Sequence, residues 1–154
     1  TPCGTLFPYT TLFRSSGIAT TIVGLDVTQE TRMDEAFIAT LRREAGDAGE
    51  FIHAITRFYF DFYEGVNGAR FCPIHDSSAV ACLLAPRLYR RERGPVRVVR
   101  DGIAMGQTIL GPHPERYASD AWLDRPSCEV CVEVDPEGVR ALYLATLRGA
   151  AATG

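Results

Sequence analysis

From Thr20 the chain runs TTIVGL, a short, continuous and largely β-branched stretch. A run this brief, without polar alternation, predicts a strand buried on both faces of a parallel sheet. It ends in Asp26-Val27-Thr28, and polar residues follow to Arg32. Helical period takes over from there. In MDEAFIATLRREAG, residues Met33, Phe37, Ile38 and Leu41 fall on one helical face and Gly46 is a stop signal. A second helix follows at once, with Asp47 as its expected cap. Its apolar stripe of Phe51, Ile52, Ile55, Phe58, Tyr59 and Phe62 predicts a largely buried helix that Gly65 and Gly68 break.

The same alternation of elements continues. In ARFCPIHDSSAVACLLAP, Pro73 and Ile74 lead into His75-Asp76 and a helix built on Ala79, Val80, Ala81, Leu83 and Leu84, which Pro86 ends. Residues 95–99 and 102–110 read as two strands joined by a turn at Arg100-Asp101-Gly102. A polar loop containing Pro112, Pro114 and Pro126 precedes an alternating strand over Cys128 to Val134. Asp135-Pro136 then supplies an N-cap and an N1 proline for a last helix over Val139, Leu142, Tyr143 and Leu147. Strands mixed with helices in this way make the fold class α/β.

One stretch resists this reading. TLFPYTTLFRS, from Thr5 to Ser15, has no cap, no helical period and no clean alternation. Back-translated, it resembles a common sequencing-library adapter read in one frame. Residues 1–15 are therefore read as a scar and set aside from the fold. The rest is expected to be one domain or part of one, since 154 residues suffice for a single core. With 46% hydrophobic residues and no apolar run of spanning length, a membrane role is not expected. All the basic residues are arginines, a pattern that reflects a GC-rich source genome rather than a need for guanidinium chemistry. Cys72, Cys82, Cys128 and Cys131 lack a context that calls for disulfides, which suggests reduced thiols and a cytoplasmic location.

The residues with most chemical content are His75 and Asp76, an imidazole and a carboxylate at a loop-to-helix junction. Two readings of Asp76 stand side by side: the N-cap of a helix beginning at Ser77, or a ligand to a hard cation such as Ca²⁺. A histidine beside it can give a proton to a leaving group. Other groupings are weaker. Cys128 and Cys131 have zinc-like spacing but no second pair, and their strand points them to opposite faces, so sheet packing is expected. Arg87, Arg90, Arg91, Arg93, Arg97 and Arg100 form a basic stretch without interleaved aromatics in a chain of net charge −3, so a solvated face is expected rather than a nucleic-acid site. Asp26, at the carboxyl end of a strand, sits either where α/β sheets hold ligands or as a loop cap.

Five segments carry a resemblance. VGLDVT at 23–28, RFYFDFYEG at 57–65, PIHDSSAVACLLAP at 73–86, DGIAMGQTI at 101–109 and VCVEVD at 130–135 resemble, in words, order and spacing, the carboxy-terminal half of the inosine/uridine-preferring nucleoside hydrolases. The resemblance runs from about Gly17 to about Leu147. It implies the carboxy-terminal part of an open mixed sheet flanked by helices, residues 16–154 being a portion of a single hydrolase domain. It also implies calcium-dependent cleavage of the N-glycosidic bond of a ribonucleoside, a small-molecule nucleoside as partner, a role in purine/pyrimidine salvage and a homo-oligomeric full-length protein. On the same footing Asp76 is a calcium ligand and His75 protonates the departing base. A branch with Trp in place of this histidine favours purines, so His75 points to the inosine/uridine type. Tyr59 and Tyr63 match aromatic positions that line the base pocket in some members, although at a spacing of four on an apolar helix they also read as core residues.

The family's amino-terminal DxDxxxDD cluster is not found in this sequence, nor are the ribose-binding Asn and Glu residues of its middle part, and Asp124, Glu129, Glu133 and Asp135 are scattered. The expectation is a carboxy-terminal fragment, inactive alone. The alternative is a non-catalytic nucleoside-binding or subunit-interaction module of the same fold.

Overall fold

The computed structural model describes residues 18–111, 122 and 127–151. The segment read as a scar, together with Pro112, Pro114, Asp124 and Pro126, lies outside the described residues. The chain divides into two compact units, Thr1–Gly24 with Arg91–Val132, and Leu25–Arg90 with Glu133–Gly154.

The β-branched run yields β1 (Thr21–Val23), paired in parallel with β6 (Ser127–Val134) so that Thr21 lies opposite Glu129 and Val23 opposite Cys131. β4 (Tyr89–Val98) and β5 (Thr108–Leu110) pair antiparallel, and the four strands form one mixed sheet in the order β1-β6-β4-β5. Burial of β1 on both faces is not observed: Thr21 is exposed and Ile22 and Val23 are half-buried. The strand sits at the sheet edge, where neither face is fully covered by the described residues. The hairpin is also wider than its turn signal. The second strand shrinks to three residues because the connection includes Gly102 and Gly106 at φ 75° and 94°, and the Gly106 N–H donates to the Val99 carbonyl at 2.9 Å.

In the second unit, α1 (Leu25–Thr28) is a single turn leading to β2 (Arg32–Asp34), which pairs antiparallel with β3 (Phe71–Pro73). Asp34 ends the strand and caps α2 (Glu35–Glu44), its carboxylate accepting from the Phe37 N–H at 2.8 Å. Met33 is therefore a strand residue opposite Cys72 and not the first residue of a helix, although it is buried as expected. Gly46, at φ 53°, breaks the chain between α2 and the 22-residue α3 (Gly46–Asn67). Asp47 makes no cap there; it lies in the first turn, and Ala45 occupies the cap position without a side-chain bond.

α3 corrects the expected stripe. Gly49, Ile52, Thr56 and Phe60 face inward, whereas Phe51, Phe58 and Phe62 are 64%, 72% and 53% exposed. Close approach chooses the face: a Cβ at Gly49 would lie 2.1 Å from the Leu41 carbonyl oxygen, so only glycine lets α2 and α3 meet there. Gly65 stays inside the helix, and Gly68 closes it in a left-handed cap at φ 69°. Then come α4 (Asp76–Leu84), a 3₁₀ turn at Pro86–Leu88, and α5 (Pro136–Ala151), capped as expected by Asp135, which accepts from the Gly138 N–H at 3.0 Å. Met33, Ile38, Leu41, Ile52, Phe60 and Ile74 form the core of this unit, with Tyr143, Leu144 and Leu147 of α5 packed against it. Among the described residues no helix is long and apolar enough to cross a membrane.

Candidate active site

β2–β3 pairing ends at Pro73, and the Ile74 N–H extends it by donating to the Thr31 carbonyl at 2.9 Å. The buried Ile74 anchors the chain to the core, so His75 emerges at a fixed point. His75 takes helical dihedrals, φ −84° and ψ −68°, and occupies the cap position of α4 without a side-chain capping bond. Asp76 is consequently the first residue of the helix and not its cap. Its carboxylate is exposed and makes no hydrogen bond or ion pair among the described residues. A carboxylate in a first helical turn is favoured by the unpaired N–H groups there.

Both ring nitrogens of His75 have partners. Nδ1 lies 2.8 Å from the Thr28 hydroxyl and Nε2 lies 3.4 Å from the Tyr63 hydroxyl. Tyr63 is half-buried and its ring stacks on Phe71 with centroids 5.4 Å apart. Tyr59, one turn earlier on α3, is 47% exposed, with Phe58 edge-on to it at 5.8 Å. Tyr59, Tyr63, His75 and Asp76 all line one cavity of about 300 Å³, whose apolar wall includes Met33, Ile52, Ile55 and Ile74. Four candidates drawn from two separate stretches of sequence thus meet at one cavity. An apolar cleft with a few convergent polar groups is the usual form of a small-molecule site.

Two further residues border the same space. Cys72 and Tyr143 line it, and burial pushes the Cys72 thiol above its ordinary value. The Tyr143 phenol is raised too, first by burial and then by the charge that Cys72 would carry. Neither stands out as a site residue in the sequence, where Cys72 reads as a reduced thiol and Tyr143 as part of the last helix. Asp26 is exposed in α1 and does not line the cavity. Cys128 and Cys131 are buried within β6, three positions apart. Among the described residues no group of three His, Cys, Asp or Glu side chains could hold a metal ion. A hard cation needs six or more oxygens, and Asp76, unengaged at the cavity wall, fits as one such donor.

Comparison with known proteins bears on the fold and on this site. The family described as inosine-uridine preferring nucleoside hydrolase matches residues 10–141. Uridine nucleosidase 1 of Arabidopsis thaliana is 27% identical over 126 residues, which are 81% of this chain and 38% of that protein. A pyrimidine-specific ribonucleoside hydrolase of Shigella flexneri is 31% identical over 100 residues, 62% of this chain and 31% of that one. Among solved structures, a purine-preferring ribonucleoside hydrolase from Gardnerella vaginalis superposes with a TM-score of 0.74 at 28% identity, covering 93% of this chain and 43% of that one. A plant nucleoside hydrolase superposes with a TM-score of 0.82 at 24% identity, covering 89% and 43%, a likeness of fold. The chain spans less than half the length of these relatives.

Proposed function

The chain belongs to the inosine-uridine preferring nucleoside hydrolase family, and from that premise we propose that it carries the base-facing part of a calcium-dependent ribonucleoside hydrolase site. The observation that supports this most is the meeting of His75, Asp76, Tyr59 and Tyr63 at one cavity. Hydrolysis breaks the bond between the anomeric carbon and the base nitrogen, and water oxygen takes the place of that nitrogen. Positive charge develops on the ribose and negative charge on the departing base. His75, at the cavity wall, gives the base a proton or a hydrogen bond as it leaves. Tyr59 and Tyr63 hold the flat face of the base between aromatic and apolar surfaces. Asp76 supplies one oxygen to Ca²⁺; when bound, the ion contributes positive charge that gathers oxygen ligands and activates water.

Asp76 alone does not complete such a site. The chain by itself is therefore inactive. Joined to an amino-terminal region bearing a DxDxxxDD cluster, it releases free base and ribose in a calcium-dependent way. The test is hydrolysis of inosine, uridine and nitrophenyl riboside by the chain alone and by the joined protein. In the joined protein Asp76→Ala abolishes turnover and weakens calcium binding. His75→Ala lowers the rate by roughly a hundredfold or more on the natural nucleosides and far less on the nitrophenyl riboside, whose leaving group needs no proton. Equal losses on all three substrates would remove the proton-donor role, and hydrolysis by the chain alone would remove the claim of inactivity. Nucleoside binding by the joined protein without hydrolysis would favour a non-catalytic module.

A further inference from the structure

Thr28 is buried, 3% exposed, and its hydroxyl oxygen lies 2.8 Å from His75 Nδ1 across 47 residues of sequence. The hydroxyl also donates to the Leu25 carbonyl at 3.3 Å, a bond within the single turn of α1. A threonine hydroxyl has one proton and two lone pairs. With the proton on Leu25, only acceptor capacity remains toward the imidazole. Nε2 lies 3.4 Å from the Tyr63 hydroxyl, and both His75 and Tyr63 line the cavity. We propose that Thr28 is a positioning residue: it accepts from Nδ1–H of His75, fixes the ring in that tautomer, and so leaves Nε2 as the nitrogen whose lone pair is turned toward Tyr63. The chain of bonds then runs in one direction, from the Tyr63 hydroxyl to Nε2, from Nδ1–H to Thr28, and from Thr28 to Leu25. A histidine's working nitrogen is commonly set by the bond its other nitrogen makes.

The inference rests on reading His75 as the proton donor, but its test needs neither substrate nor calcium, so the two fail separately. The full chain is labelled with ¹⁵N at its histidines, and ring nitrogens are read by NMR at a pH where the imidazoles are neutral; a His75→Asn variant identifies the His75 signals. The expected result is Nδ1 protonated and Nε2 bare. Thr28→Val, which keeps the shape and removes the hydroxyl, shifts the tautomer ratio toward Nε2–H by roughly fivefold, about the effect of one neutral hydrogen bond. Thr28→Ser restores the ratio, which a purely steric role for Thr28 would not do. Nε2 protonated in the unaltered chain overturns the proposal, because the threonine would then be the donor. An unchanged ratio in folded Thr28→Val does the same, and if that variant does not fold, the unaltered chain and Thr28→Ser still decide.

Discussion

Tyr89 and Ser78 hold the start of α4 from beneath. The Tyr89 hydroxyl donates to the Ser78 carbonyl at 2.8 Å and lies 3.0 Å from the Ser78 hydroxyl, and both residues are buried. Tyr89→Phe deletes the shared oxygen and takes the partner of the buried Ser78 hydroxyl, which should cost about 1–3 kcal/mol. Urea unfolding of the two proteins side by side measures it, and an unchanged midpoint would show that water replaces the phenol. Cys72 makes a prediction about pH. Burial raises its thiol, so the folded chain keeps that proton longer than the unfolded chain does. Fewer protons on the unfolded state mean that stability falls as pH rises. The contribution is intact below the ordinary thiol value of 9.0 and is lost as pH climbs past it. Tyr143, also raised, extends the loss further into the alkaline range. Unfolding midpoints from neutral to alkaline pH should decline, and Cys72→Ala should flatten the first part of that decline. At this scale the candidate site was legible only in part. His75 and Asp76 stand out because an imidazole and a carboxylate sit together at a loop-to-helix junction. The contact of Thr28 with His75 has no local signature, since pattern reading sees neighbours a few positions apart and not a partner 47 residues away.

Among the elements, the period of α3 was legible and its inward face was not. Aromatic residues on both sides of the helix made the wider stripe look like the core, yet Gly49 decides the matter by where a side chain cannot fit. Gly49 and Gly65, both inside α3, should respond oppositely to one change. Gly49→Ala gains helix propensity of about 1 kcal/mol but drives a methyl into the Leu41 carbonyl, and the net effect should be a loss of about 1–3 kcal/mol. Gly65 has open space around its Cα, so Gly65→Ala should stabilise by about 0.5–1 kcal/mol. Thermal unfolding of both variants checks the pair, and a stabilised Gly49→Ala would mean that the helices separate easily. β2 was missed for a related reason: three residues, Arg32 to Asp34, are too few to show alternation, and Met33 matches the helical spacing of Phe37 and Leu41 in α2. The cap and proline opening α5 were read correctly because both act within one turn.

For the whole molecule, charge bears on which partners are excluded. The chain has 16 arginines against 19 acidic residues, and arginines of the basic stretch are engaged, among them Arg90 with Glu133 at 2.7 Å and Arg91 with Glu129 at 2.6 Å. Arg90 also holds the Glu133 carboxyl below its usual range. Titration with a mixed-sequence duplex at low and moderate salt should show no tight binding; micromolar affinity with a steep salt slope would reverse that conclusion. The mixture of strands and helices over the full length made the α/β class legible, because class depends on the kinds of element and tolerates errors in their ends. The strand pairing carries a consequence for the order in which the chain acquires structure. α2 and α3 are neighbours in sequence and meet through local contacts, whereas Thr21 of β1 finds its partner in Glu129, roughly a hundred residues later. Closing so long a loop is slow relative to docking two adjacent helices. During synthesis the helical hairpin would be released long before β6 exists, so β1 would wait unpaired while α2 and α3 are already docked.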